Sequence, residues 1–180
     1  MSGEAVFVAL GGNVGEVFSN LAKAVRLVDR LPRTRVTKVS GLYRTPPVGG
    51  PINADGTPAQ ADFLNGAIEL HTDLVPDELL DALQEIEAEL GRVRTVRDGP
   101  RTVDLDLLLW GDRIMTGERL TIPHPRMHLR AFVLTPLAEI APAAAHPLLG
   151  ETMAGLLKAL RPVKGIEPLG QSFNPLEREG

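Results

Sequence analysis

Two aspartates with one residue between them, Asp104 and Asp106, stand in the apolar segment 102–110. If this segment is a strand, both carboxylates lie on one face, about 6 to 7 Å apart along the chain. The other face is then fully apolar and carries Val103, Leu105, Leu107 and Leu109. Two carboxylates next to Leu108 and Trp110 would repel each other and would be costly to desolvate. We therefore expect a positive group between them, either Mg²⁺ or arginine; a solvated strand end or plain ion pairing is the alternative.

An arginine-rich segment comes just before these aspartates. It holds four arginines within ten residues, with Asp98 as its one acid: Arg92, Arg94, Arg97 and Arg101. Arginine is always charged and binds phosphate through a bidentate fork. An anion site beside a cation site is the arrangement expected for metal–nucleotide chemistry. The alternative is a solvated basic loop that neutralises the two aspartates.

A third polar cluster surrounds His124, which lies between two prolines and is flanked by Arg119, Arg126 and Arg130. A neutral or cationic imidazole there could bind a phosphate or a base, although a structural histidine is the simpler interpretation. The other histidines have no spacing typical of a metal site. The Gly11-Gly12-Asn13 segment matches neither the dinucleotide nor the Walker pattern, and we interpret it as a tight turn near the ligand.

Phe63 and Asn65 share one face of a predicted strand. An aromatic ring beside an amide suits a flat heterocycle, since the ring stacks and the amide reads donor and acceptor edges. A core phenylalanine with an incidental asparagine is the alternative. The preceding segment 46–61 has neither helix nor strand periodicity, which is typical of a functional or a disordered loop.

Hydrophobic periodicity predicts the elements that position these residues. We expect strands at 5–10, 62–70 and 103–110, an extended stretch at 34–43, and helices at 16–31 and 76–90, the last ended by Gly91. This order is the βαββαβ pattern of a ferredoxin-like α+β sandwich. Two helices would cover one sheet face and leave the other, with the long loops, for ligands. Further helical segments are expected within 126–139 and at 153–160, and 161–180 has no clear period.

Composition narrows the class of protein. The 180 residues suit one domain spanning 1–180, with 161–180 as a candidate loosely ordered tail. Nineteen basic against 23 acidic side chains give a net charge of −4, which disfavours a general nucleic-acid binder. There is no cysteine for a disulfide or a thiolate metal site. No apolar run reaches the roughly 18 to 20 residues of a membrane span, and the start lacks a basic secretory region, so we expect a cytoplasmic location.

Taken in order, these segments resemble the 6-hydroxymethyl-7,8-dihydropterin pyrophosphokinases of folate biosynthesis, over roughly residues 5 to 142. The matching pieces are Leu-Gly-Gly-Asn at 10–13, Tyr-Arg-Thr-Pro-Pro at 43–47, Asp-Phe-Leu-Asn at 62–65, Gly-Arg-Val-Arg at 91–94, Gly-Pro-Arg-Thr-Val-Asp-Leu-Asp-Leu-Leu at 99–108, Leu-Thr-Ile-Pro-His at 120–124 and Arg-Ala-Phe at 130–132.

The resemblance implies transfer of an intact pyrophosphoryl group from ATP to the pterin hydroxymethyl oxygen, with two Mg²⁺ ions and release of AMP. It implies that Asp104 and Asp106 hold the metals and that Arg92 and Arg101 brace the triphosphate. The implied ATP-side residues are Gln84, Glu87, Arg94, Leu107, Arg119, His124 and Arg130. The implied pterin pocket is formed by Thr45, Pro46, Val48, Phe63, Asn65 and Phe132, with the two phenylalanines on the two ring faces. Its implied partners are these small molecules, with no nucleic acid or membrane, in a monomer or weak homodimer.

The sequence departs from the family pattern at a few positions. Asp98 stands where an aromatic residue is common, and the arginine loop is one residue shorter. Phe63 replaces a frequent tyrosine, and Gly12 replaces a serine. Two other functions stay open. One is a nucleotide-binding module that has lost its activity, for which Asp98 would be the sign. The other is a two-metal nucleotidyltransferase acting on nucleic acid, since such enzymes also place carboxylates on similar sheets, but the acidic charge disfavours it.

Overall fold

The structure is a computed structural model that describes residues 3–47, 49–91 and 101–177. In chain order the elements are β1 (Val6–Gly12), α1 (Val17–Asp29), β2 (Thr34–Val39), β3 (Tyr43–Thr45), β4 (Phe63–Thr72), α2 (Pro76–Glu89), β5 (Asp104–Trp110), β6 (Met115–Thr116), β7 (Thr121–Ile122), a 3₁₀ turn (Met127–Leu129), α3 (Ala131–Ile140), α4 (Met153–Ala159) and β8 (Glu167–Pro168). Within these residues, no helix is long and apolar enough to cross a membrane.

The predicted ferredoxin-like fold is confirmed. The main sheet has the order β5-β1-β4-β3-β8, and β2 also pairs with β4. All of these pairings are antiparallel. The predicted extended stretch 34–43 is two strands, because β2 pairs with the C-terminal half of β4 and β3 with its first three residues.

Local sequence explains the two crossover helices. An apolar stripe on α1 that includes Leu21, Val25 and Val28 is buried, and α2 buries Leu79, Leu83 and Ile86. Helix α2 begins at Pro76, which suits a first-turn position, and is followed by Gly91 with φ +88°. Both stripes pack on the same side of the sheet.

The opposite sheet face is less open than predicted. Helices α3 and α4 pack on it through a second cluster that includes Phe7, Ala67, Leu108, Leu134 and Met153. The two crossover helices do cover one face, as predicted, but the C-terminal helical extension covers part of the other. The ligand-binding region that we expected on that face is therefore reduced.

Strand β5 contains a bulge that the sequence pattern does not show. Val8 pairs with Leu107 and Phe7 with Leu109, so Leu108 is an extra residue. The predicted alternation holds up to Leu107 and is wrong after it, because Trp110 joins the α1–α2 cluster and Leu109 joins the α3–α4 cluster. Asp104 and Asp106 precede the bulge, so their shared face is unaffected.

The interpretation of Gly11-Gly12 as a turn is wrong, because both are the last residues of β1. A Cβ atom at Gly12 would lie 2.5 Å from the carbonyl oxygen of Thr102. A Cβ atom at Gly11 would lie 3.1 Å from Oδ1 of Asn65. These glycines therefore permit close approach of neighbouring chain segments rather than a change of direction.

Candidate active site

The two aspartates lie at one end of the sheet, on the face that carries α3. Asp104 is opposite Gly11 and Asp106 is opposite Ala9. Both carboxylates are half-buried. Directly opposite residues in an antiparallel sheet share a face. The register therefore produces one row across four strands: Asp104, Gly11, Asn65 and Tyr43.

Arg101 provides the positive charge that the paired acids required. Its Nη1 donates a hydrogen bond to Oδ2 of Asp104 at 2.7 Å. The arginine side chain is 28% exposed and the aspartate 15%, so this ion pair is screened less than one on the open surface. Of the two predicted neutralising groups, arginine is therefore present beside Asp104.

Asn13 holds Arg101 and the long loop together. Its Oδ1 accepts from the Arg101 backbone N–H at 2.9 Å, and its own backbone N–H donates to the Arg101 carbonyl at 2.8 Å. Its Nδ2 donates to Oε1 of Gln60 and to the carbonyl of Ala61, both at 3.0 Å. From the sequence we expected Asn13 near the ligand but could assign it no role, because Gln60, Ala61 and Arg101 are far from it in the chain.

A pocket of about 320 Å³ opens at the edge of β5, between α2 and the β6–β7 hairpin. Five of the seven predicted ATP-side residues line it, together with Asp106: Gln84, Glu87, Leu107, Arg119 and His124. Sequence reasoning missed further lining residues: Leu80, Leu105, Gly117, Glu118, Leu120, Thr121 and Pro125. Arg130 does not line this pocket, and Arg119 forms an ion pair with Asp81 across its rim.

The structure favours a neutral imidazole at His124. Burial, with the nearby Arg130 and Arg126 guanidinium groups, lowers the pKa of His124 from 6.5 to about 4. Its Nδ1 accepts from the Arg126 backbone N–H at 3.1 Å, so the proton of the neutral ring is on Nε2. His124 can therefore offer one N–H donor to a ligand at neutral pH.

The predicted pterin residues are only partly brought together. Asn65 Nδ2 donates to Thr45 Oγ1 at 2.7 Å, and Thr45 is opposite Phe63 across β3 and β4. Both polar residues are buried. Pro46 follows directly in the chain. Phe132 lies in the first turn of α3, where the Arg130 guanidinium is 5.7 Å from its ring centroid.

Some predicted residues lie outside the described part of the chain. They are Val48 and the arginine-loop residues Arg92, Arg94, Arg97 and Asp98. The roles assigned to them remain predictions.

The fold and the site together define a class. This is a ferredoxin-like α+β protein in which Asp106, Arg119 and a neutral His124 line one pocket at the sheet edge, and Asp104 with its partner Arg101 lies on the same strand face as Asp106. That combination suits a phosphate-bearing ligand.

Comparison with known proteins identifies the family. The pattern of the 7,8-dihydro-6-hydroxymethylpterin-pyrophosphokinase (HPPK) family matches residues 7–142. A Pseudomonas aeruginosa protein named 2-amino-4-hydroxy-6-hydroxymethyldihydropteridine pyrophosphokinase is 48% identical over 164 residues, covering 91% of this chain and 96% of that protein. A Bacillus subtilis protein of the same name is 50% identical over 134 residues, covering 74% and 76%. The chain belongs to the HPPK family.

Solved structures agree with the fold. The crystal structure of wild-type Plasmodium falciparum HPPK-DHPS with pterin and p-hydroxybenzoate has a TM-score of 0.63 and 17% identity to this chain. The match covers 87% of this chain and 41% of that one, so this chain spans less than half of the solved protein.

Proposed function

We propose that this protein transfers the pyrophosphoryl group of ATP to the hydroxymethyl group of 6-hydroxymethyl-7,8-dihydropterin in folate biosynthesis. The hydroxymethyl hydroxyl gives up its proton to solvent and its oxygen forms a bond to the β-phosphorus, while the bond from that phosphorus to the α,β-bridging oxygen breaks and AMP leaves. Membership of the family supports this reaction. The observation that carries it is the placement of Asp104 and Asp106 on one face, beside Arg101 and a pocket at the edge of β5.

The two aspartates fit a magnesium site of the kind that needs a phosphate to complete it. Among the described residues, no group of three or more His, Asp or Glu side chains could hold a metal without help. Mg²⁺ is commonly bound through one or two carboxylates together with substrate phosphates and water. We therefore assign Asp104 and Asp106 to two Mg²⁺ ions, which when bound neutralise charge on the phosphate oxygens.

Arg101 is the described residue best placed to meet the charge of the triphosphate. One of its five N–H donors is used by Asp104, and the fork leaves others for phosphate oxygens. The ion pair also orients the guanidinium before the substrate arrives, so little rotamer entropy is lost on binding. Arg92 shares this task in the proposal.

The pocket at the edge of β5 is the proposed ATP site. Its residues Gln84, Glu87, Leu107 and Arg119 surround the nucleotide, and His124 donates from Nε2 to an oxygen of it. The proposed role needs only an N–H donor, which a neutral imidazole provides. A protonated His124 would be unfavourable in this partly buried position, because Arg126 and Arg130 are close to it. Arg130, which does not line the pocket, and Arg94, which lies outside the described residues, complete the proposed set.

The pterin is proposed to bind across β3 and β4. Thr45 takes one N–H of the Asn65 amide, which fixes the amide orientation and leaves Oδ1 as an acceptor for a pterin N–H. Phe63 and Phe132 supply aromatic faces, and Pro46 and Val48 supply apolar contact. Asn65 lies opposite Gly11, and its Oδ1 would be 3.1 Å from a Cβ atom at Gly11, which supports a pterin site next to the acidic residues of β5.

Product analysis tests the reaction. The protein is incubated with ATP, Mg²⁺ and 6-hydroxymethyl-7,8-dihydropterin, and nucleotides are separated by chromatography. We expect AMP and the pyrophosphorylated pterin in equal amounts. Release of ADP, or no turnover, would overturn the assignment.

We further propose that the enzyme is a single domain that acts in the cytoplasm as a monomer or weak homodimer. Sedimentation of the purified protein tests the oligomeric state.

A further inference from the structure

The C-terminal segment 165–169 contacts the strand that carries the proposed pterin residues. Strand β8, within this segment, pairs with β3 through Pro168 opposite Tyr43 and Glu167 opposite Arg44. The Leu169 backbone N–H adds a bond to the Leu42 carbonyl at 2.9 Å. The family match ends at residue 142, so this contact is made by a part of the chain outside the matched region.

The segment makes β3 an interior strand. On its other side β3 pairs with Phe63–Asn65 of β4. The first residues of β3 have a separate anchor in α3, where Tyr43 donates its hydroxyl hydrogen to Oε1 of Glu139 at 2.6 Å. Strand β8 pairs with Tyr43 and Arg44, and Gly165 lies against Pro46, which follows the last residue of β3.

Gly165 lies against Pro46, the first residue of the segment 46–61. A Cβ atom added there would lie 3.3 Å from both Cγ and Cδ of Pro46, and Gly165 has φ +77°. Pro46 comes directly after Thr45, whose hydroxyl orients the Asn65 amide. The position of the Gly165 backbone therefore affects the position of Pro46 and, through the adjoining peptide bond, that of Thr45.

The segment is held in place on its far side. Phe173 is only 5% exposed and meets Phe18 of α1 edge to face, with ring centroids 5.4 Å apart. Arg26 of α1 also donates to the Pro175 carbonyl at 3.4 Å. Because the chain beyond β8 is anchored to α1, segment 165–169 has a fixed position beside β3.

From these contacts we infer that segment 165–169 is a positioning element for the pterin pocket, which sets the affinity for the pterin and does not affect pyrophosphoryl transfer at Asp104 and Asp106. The inference rests on the proposed function, because it assigns Thr45 and Pro46 to pterin binding. It predicts that disturbing the segment raises KM for the pterin and leaves kcat and KM for ATP unchanged.

Two alanine substitutions separate this role from general damage. Gly165→Ala and Gly170→Ala impose the same strain, since φ is +77° at one and +79° at the other. A Cβ atom at Gly170 meets nothing within 4 Å, whereas one at Gly165 meets Pro46. Both variants should lose similar amounts in melting temperature, so any further effect of G165A comes from the push on Pro46.

Steady-state kinetics and a binding titration with the pterin give the readout. We expect G165A to raise KM and Kd for the pterin about three- to tenfold over G170A, with KM for ATP unchanged. Equal pterin constants in the two variants, or an equal rise for ATP, would overturn the inference. An inactive wild type would instead overturn the proposed function, which keeps the two failures distinguishable.

Discussion

Asn13 forms hydrogen bonds with both backbone groups of Arg101, its N–H and its carbonyl. The Asn13 side chain accepts from the Arg101 N–H and the Asn13 backbone donates to the Arg101 carbonyl. The same amide also holds the end of the long loop at Gln60 and Ala61. One buried side chain thus connects the segment that leads into the acidic strand with the loop that leads into the pterin residues.

The two ties of Asn13 can be separated by substitution. Asn13→Asp keeps an acceptor for the Arg101 N–H but cannot donate to Gln60 or Ala61. We expect it to raise KM for the pterin with a small effect on kcat, whereas Asn13→Ala lowers kcat as well and costs about 1–3 kcal/mol in the free energy of unfolding. Steady-state kinetics and urea denaturation provide the measurements. Asn20→Asp makes the same charge change nearby, and an unchanged pterin KM in N13D would contradict the account.

His124 should make stability depend on acidity in a defined range. Its folded-state pKa of about 4 lies below its ordinary value of 6.5. Between pH 4 and 6.5 His124 is therefore protonated in the unfolded chain and neutral in the folded one. The free energy of unfolding therefore falls as pH drops from 6.5 to about 4, by at most about 1.4 kcal/mol per pH unit.

The comparison for this prediction is His124→Asn, which keeps an acceptor near the Arg126 N–H. The difference in unfolding free energy between wild type and this variant should change within that range and be constant at higher pH. Turnover should show no step from His124 between about pH 6 and 8, because the ring stays neutral there. A difference that is flat from pH 4 to 6.5 would refute the neutral, buried imidazole.

Gly11 is expected to matter for pterin affinity although it has no side chain. An alanine Cβ would lie 3.1 Å from Asn65 Oδ1, so the amide must move away from the position that Thr45 fixes. We expect Gly11→Ala to raise KM for the pterin by about tenfold, a loss of roughly 1.4 kcal/mol in binding. Gly41→Ala is the control, since its Cβ would meet Glu139 at an ordinary 3.5 Å. Equal pterin KM in both variants would show that the Asn65 amide does not bind the pterin.

Removing either acid should affect turnover far more than folding. Asp106→Asn and Asp104→Asn each keep the shape of the side chain but lose a negative charge, and we expect kcat to fall by about 10² to 10³. In the Asp104 variant the ion pair with Arg101 is lost as well, so Arg101 contributes to its effect. Melting temperature without metal is the companion measurement. A loss of stability as large as the loss of activity would indicate a structural role for the acids.

Much of this site could be predicted because its signals are local. The Asp-x-Asp spacing defines one face of β5 without reference to the rest of the chain, and Pro76 and Gly91 delimit α2 through their own backbone preferences. The bulge at Leu108 could not be predicted, since it is a property of the pairing with β1.

Other features depended on the tertiary fold in the same way. In the sequence, the two glycines at the end of β1 resemble a turn. Their role is visible only in the fold, where Thr102 and Asn65 lie close to them. The segment after α4 has no period, yet Phe173 is buried because α1 presents Phe18 to it. The cover that α3 and α4 give to the second sheet face also has no signal in periodicity, which reports that a helix is amphipathic but not where it packs.

The central claim is that Asp104 and Asp106 together gather Mg²⁺ for a phosphate-bearing substrate. Calorimetric titration with a non-hydrolysable ATP analogue, with and without Mg²⁺, tests it directly. Asp112→Asn is the matched control, since Asp112 is exposed in the turn after β5. We predict that Mg²⁺ tightens binding in wild type and D112N, and that D106N loses about tenfold or more of that gain. A D106N protein that keeps the full Mg²⁺-dependent gain would contradict the account.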